Sequence, residues 1–153
     1  MRHGVGMSRP AEAPSLIPYF SNLSREHGFE PAAVEGAIPA GLDGTLYRNG
    51  PGIMEQFGQR YDHLFEGDGA ITAIRLADGQ ALAASRVVQS AGLLEERAAG
   101  RHLGSFVAAW PDRLRRIHSG SYKNTANTNL MSWQGRLYAL MEGGRPTQID
   151  PDT

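Results

Sequence analysis

The sequence predicts an all-β fold, and three features carry that prediction. An Asp78-Gly79 pair separates two alternating runs, and a second tight turn at Gln134-Gly135 separates two apolar ones. Between Gly41 and Gly69, glycine and proline punctuate short apolar segments. Asp-Gly suits the two-residue hairpin turn, in which both central residues need positive φ. With 19 glycines and 9 prolines in 153 residues, the composition also leans toward turn-rich β structure.

Taken in order, Met1 to Pro14 is polar, unpatterned and broken by Gly and Pro. We read residues 1–15 as a disordered leader and 16–153 as one domain. Leu16-Ile17-Pro18-Tyr19-Phe20 is a small apolar knot, read either as a staple for the leader or as a membrane-touching patch. Ser24 to His27 reads as one helical turn. Leu46-Tyr47 reads as a strand end, Arg48-Asn49-Gly50-Pro51-Gly52 as a compound turn, and Leu64-Phe65 as a short strand stopped by Gly67-Asp68-Gly69.

The hairpin over Ile71 to Ser90 pairs Ala77 with Gln80, Ile74 with Ala83 and Thr72 with Ser85. Its side chains are small on both faces, which suits a sheet sandwiched closely between neighbours. Leu93 to Ala99 is helical in pattern, with Gly100 ending it. Trp110-Pro111-Asp112 starts a second helix, with Arg113, Arg115 and Arg116 on its solvated side. The second hairpin pairs Trp133 with Arg136, Met131 with Tyr138, Asn129 with Leu140 and Asn127 with Glu142. Leu137 to Met141 is continuously apolar, as in a strand buried on both faces, and Glu142 ends it.

The bulk numbers exclude several functions. Net charge is −1, so nothing marks a nucleic-acid partner. There is no cysteine, hence no disulfide, thiolate nucleophile or cysteine metal site, which fits a reducing cytoplasm. No apolar run approaches the ~20 residues of a membrane helix. Lys123 is the only lysine among many arginines, and no function follows from that alone.

Glu142 is the side chain to examine first, because a carboxylate ending a buried strand is costly without a donor or cation beside it. A rim glutamate paired with solvent or Arg145 is the plain alternative. None of His3, His27, His63, His102 and His118 shows metal-ligand spacing, and each reads as surface or packing. Asp62, Glu66 and Asp68 read as a solvated acidic turn, not a calcium loop. Gly50-Pro51-Gly52 is no phosphate loop, and Ser119 and Ser121 lack a nucleophile elbow.

Gly44-Thr45-Leu46-Tyr47-Arg48-Asn49-Gly50-Pro51-Gly52, followed by His63-Leu64-Phe65-Glu66-Gly67-Asp68-Gly69, resembles the N-terminal signature of the carotenoid cleavage oxygenases. The likeness continues through Lys123 to Asn129 and through Leu140 to Pro146, as far as Ile149-Asp150-Pro151. It implies the first blades of a seven-bladed β-propeller with short helical connections, incomplete at the C-terminus. The implied parent is a non-haem iron(II) dioxygenase that uses O₂ to cleave a C=C bond of a carotenoid or apocarotenoid. By the same resemblance, Glu142 accepts a hydrogen bond from an iron-ligating histidine. Met141 faces a substrate tunnel, where methionine suits a polyene better than a phenol. The family's four ligand histidines have no match here and are expected beyond Thr153, so no iron is expected on this chain alone. The alternatives are a non-catalytic fragment with an association-prone sheet edge, or a stilbene-cleaving or isomerase-type member. A cytoplasmic protein that touches membranes peripherally fits greasy substrates.

Overall fold

The Asp78-Gly79 turn closes a long antiparallel hairpin, with φ of 52° at Asp78 and 71° at Gly79. Its arms are β5 (Asp68–Ala77) and β6 (Gln80–Val87), and the register includes every pair expected from the sequence. This is seen in a computed structural model, which describes residues 20–104, 110–119 and 123–152. The leader over residues 1–15, most of the Leu16–Phe20 knot, and Ser121 lie outside the described residues. So do the side chains of Arg113, Arg115 and Arg116.

Two further strands complete the first sheet. β1 (His27–Pro31) pairs with β6, and β2 (Gly44–Ile53) pairs with β5, in the order β1-β6-β5-β2. Residues 24–26 are not helical and instead lead directly into β1. The free edge of β6 explains this, since Glu26 accepts a 2.8 Å hydrogen bond from the Val87 N–H while His27 pairs with Ser85.

The expected turn at Arg48–Gly52 is instead the second half of β2, with a register shift between Pro51 and Ile53. β2 lies at the sheet edge, where a proline need not donate to a ladder, and the bulge absorbs the extra residue. Gly52 is therefore needed for space, because a Cβ there would run into the Ala70 side chain. A small ribbon of β3 (Glu55–Gln56) and β4 (Gln59–Arg60) follows. Leu64 to Glu66 is a 3₁₀ turn and not a strand, its N-terminus capped by His63, which accepts from the Phe65 N–H.

Helix α1 (Ala91–Ala99) is capped by Ser90 and ends at Gly100, whose φ of 64° is the left-handed closure expected of a glycine there. Helix α2 spans Trp110–Ser119. The second sheet has the order β7-β8-β9, from β7 (Asn129–Trp133), β8 (Arg136–Leu140) and β9 (Thr147–Ile149). Its hairpin register agrees with the sequence from Trp133–Arg136 to Asn129–Leu140 and stops there. Asn127 does not face Glu142, because its side chain turns inward.

Among the described residues, two small clusters form the core. Ile53, Val87 and Leu93 seat α1 on the first sheet, and Val88, Ala126 and Ala139 fill the space between the sheets. One face of the small-residue hairpin looks across a cleft to the second sheet, and the other is more open, with Ile74 39% exposed. Ile71, Ala73 and Ala84 share a cleft of about 260 Å³ with Gln148 and Ile149 of the second sheet. Thr72 and Ser85, on the opposite face, line a groove with residues 21–24.

Candidate functional site

The segment from Lys123 to Asn129 joins the two sheets, and side-chain hydrogen bonds fasten it on both sides. The Asn49 amide of β2 donates at 2.9 Å to both the Ala126 and Asn129 carbonyls. The Asn127 amide donates to the carbonyls of Leu64, Phe65 and Gly67, at 3.2, 3.1 and 2.7 Å. Gly69 gives its N–H to the Thr125 carbonyl at 2.7 Å. Ala126 is held at a φ of 50°, a left-handed value unusual for alanine, which this surrounding fixes in place. Thr128 then grips the end of β8, donating both its N–H and its hydroxyl to the Leu140 carbonyl.

At the start of this joint, Lys123 enters a buried polar cluster. Its ammonium donates to Asp68 at 2.7 Å, Glu96 at 2.9 Å and the Tyr61 hydroxyl at 3.0 Å. The Lys123 side chain is only 2% exposed, and both carboxylates are buried. Glu96 also accepts from the N–H groups of Leu103 and Gly104, which folds the loop after α1 back onto the helix. His102 Nε2 lies 2.9 Å from the Gln56 carbonyl, so that nitrogen is the donor. Nδ1 lies 3.2 Å from the Tyr61 hydroxyl and 3.3 Å from Glu96.

The electrostatics follow from burial and from these bonds. Burial pushes the Tyr61 hydroxyl up to about 12, against the pull of Lys123. For Glu96, burial works against ionisation, but Lys123 and the two backbone donors outweigh it and hold the carboxyl below its ordinary value. Asp68 has Lys123 as its main helper, and burial prevails, so its carboxyl is raised. Lys123 loses water, yet Asp68 and Tyr61 more than compensate, and its ammonium is raised too.

An alkaline prediction follows. Tyr61 and Lys123 hold protons in the folded state that the unfolded chain releases from about pH 10. Their contribution is full below that value and is lost as pH rises toward 12. Urea midpoints are expected to fall steeply from about pH 10 to 12, and Tyr61→Phe to remove part of that slope.

The expected solvated acidic turn is therefore corrected at Asp68, which is wholly buried on Lys123. Sequence reading also passed over Glu96, although helical spacing places it one turn from buried Leu93. The lone lysine was the other signal. An ammonium fits three oxygens converging on one point, where a planar guanidinium does not.

Glu142 sits elsewhere, in the turn after β8. It is exposed and has no side-chain partner among the described residues. The expected burial at the end of β8 is corrected accordingly, since only Ala139 of that strand is buried and its neighbours are half-covered or exposed. Met141 is half-buried beside Gly144.

Residues 20–153 match the family model described as retinal pigment epithelial membrane protein. The chain is 37% identical to the apocarotenoid-15,15'-oxygenase of a Synechocystis species, over 94% of this chain and 32% of that protein. The chain belongs to the carotenoid cleavage oxygenase family. Another member, the lignostilbene-alpha,beta-dioxygenase isozyme III of Sphingomonas paucimobilis, is 39% identical over 78% of this chain and 24% of its own length. The fold matches cobalt-substituted Synechocystis apocarotenoid oxygenase with a TM-score of 0.75 and 38% identity, covering 88% of this chain and 29% of that one. The chain thus spans a third or less of the length of the carotenoid cleavage oxygenases it matches.

Cobalt substitution in that relative points to a metal-dependent family. Among the described residues of this member, no group of three or more His, Asp or Glu side chains could hold a metal ion. The described histidines are engaged otherwise or stand apart. His102 is locked in the buried cluster, His63 caps the 3₁₀ turn, His27 lies beside Glu30, and His118 is exposed. These residues do not fit an iron site.

Proposed function

We propose that this chain is the N-terminal segment of an iron(II)-dependent dioxygenase that cleaves a C=C bond of a carotenoid or apocarotenoid with O₂. The observation that carries this reading is the 37% identity with an apocarotenoid oxygenase across nearly the whole chain. In it, the four-stranded and three-stranded sheets are consecutive blades of a seven-bladed propeller, with β2 and β7 on the inner side. Iron(II) supplies the redox chemistry of O₂, and histidines outside this segment hold the metal. Glu142 is free to accept the ring N–H of one such histidine, fixing its tautomer and raising its basicity. The soft thioether of Met141 lines an apolar tunnel. Likeness to a lignostilbene dioxygenase keeps stilbenes as the competing substrate class. Peripheral membrane contact is part of the proposal, supported by Trp110 and Phe65, which are 66% and 64% exposed.

The test replaces the matching third of the Synechocystis apocarotenoid oxygenase with this chain. The hybrid is expected to bind iron and to cleave an apocarotenoid in preference to a stilbene. Glu142→Gln in the hybrid should weaken iron binding by about 10–100-fold. A folded hybrid whose iron content ignores that substitution would rule out the role given to Glu142. Stoichiometric iron on the 153-residue chain alone would overturn the segment reading.

A further inference from the structure

The buried cluster around Lys123 does not balance its charge. One ammonium faces the two carboxylates of Asp68 and Glu96, and all three side chains are at most 2% exposed. His102 does not supply a second positive charge if every donor is to keep an acceptor. Tyr61 accepts from Lys123 through its hydroxyl oxygen, so its own proton needs a receiver, and His102 Nδ1 at 3.2 Å is the one in reach. With Nδ1 taken up by the Tyr61 hydroxyl, the ring proton lies on Nε2, facing the Gln56 carbonyl. An unbalanced negative charge buried from solvent is costly, and a proton on one carboxylate removes it.

The two carboxylates differ in how they are occupied. Glu96 receives Lys123 on one oxygen and the Leu103 and Gly104 N–H groups on the other. Among the described residues Asp68 receives Lys123 on Oδ2 alone, and its Oδ1 is buried with no hydrogen-bond partner. The charged groups around Asp68 are Lys123 from the joint, Tyr61 from the link after β4, and Glu96 and Arg97 from α1. We propose that Asp68 is a proton-operated switch in the joint between the two sheets. On acidification Oδ1 takes up a proton, the cluster becomes neutral, and the cost of the surplus buried charge is removed. The raised affinity of Asp68 for a proton agrees with this. The sign is opposite to that of an ordinary paired aspartate. The gain is complete below the unfolded-state value near 3.8 and is lost as pH rises through the higher folded-state value.

Two measurements on the 153-residue chain test the switch. Carboxyl-carbon NMR of the wild type should show Asp68 titrating above every other aspartate. Its urea midpoint should rise as pH is lowered through the Asp68 titration that the NMR records, and Asp68→Asn should abolish that rise. An Asp68 signal that titrates with the surface aspartates overturns the proposal. So does an Asp68→Asn variant that keeps the wild-type rise, which would move the proton to His102 and leave Tyr61 without its acceptor. Should Asp68→Asn fail to fold, the wild-type titration decides alone.

Discussion

Replacing Lys123 with methionine is expected to lower the unfolding free energy by about 3–5 kcal/mol, the usual cost of removing one partner from a buried ion pair. Methionine fills the stem of the lysine but cannot meet the two carboxylates or the Tyr61 hydroxyl, which Lys123 now serves. Those oxygens lie too deep for water to replace the ammonium, so the loss is the full desolvation penalty and not the small value of a surface pair. Urea denaturation followed by tryptophan fluorescence measures it. Adding Asp68→Asn to the Lys123→Met chain should recover part of the loss, because one unpaired charge is then gone. A loss below about 1 kcal/mol would mean that the cluster is open to water.

Gly69→Ala should be nearly as damaging, by about 2–4 kcal/mol. A methyl group at Gly69 would run into the Ala126 carbonyl oxygen and crowd the Thr125 carbonyl. Both are backbone atoms in a segment already fastened by Asn49 and Asn127, so neither can rotate away. The clash also breaks the Gly69–Thr125 hydrogen bond. Gly50→Ala is the control, since a Cβ there meets nothing within 4 Å, and its effect should stay within about 0.5 kcal/mol. Comparing urea midpoints of the two variants separates crowding from the general cost of changing a strand glycine.

The hairpins were legible in the sequence because their information is local. Asp78-Gly79 demands one backbone geometry, and counting outward from it gives the observed register as far as Thr72–Ser85. The same holds from Gln134-Gly135 out to Asn129–Leu140. Local signals misled at Gly50-Pro51-Gly52, where turn-like residues lie in an edge strand. Pairing along β5, where Gly50 faces Ala70 and Pro51 faces Gly69, makes that element a strand, and the Ala70 side chain leaves no room for a Cβ at Gly52. The buried cluster was hidden for a similar reason. Asp68, Glu96, His102 and Lys123 are far apart in sequence, and each is unremarkable by itself. Family resemblance directs attention to Glu142, which is exposed and has no side-chain partner among the described residues.

Asn49 reaches across 77 and 80 positions to hold Ala126 and Asn129, and Lys123 reaches 55 to hold Asp68. Each hairpin can zip up from its own turn within microseconds, whereas these ties must first close a long chain segment against its entropy. The linker between the sheets is therefore fastened last, and the sheets acquire their mutual orientation only when a handful of amide and ammonium protons find their oxygens.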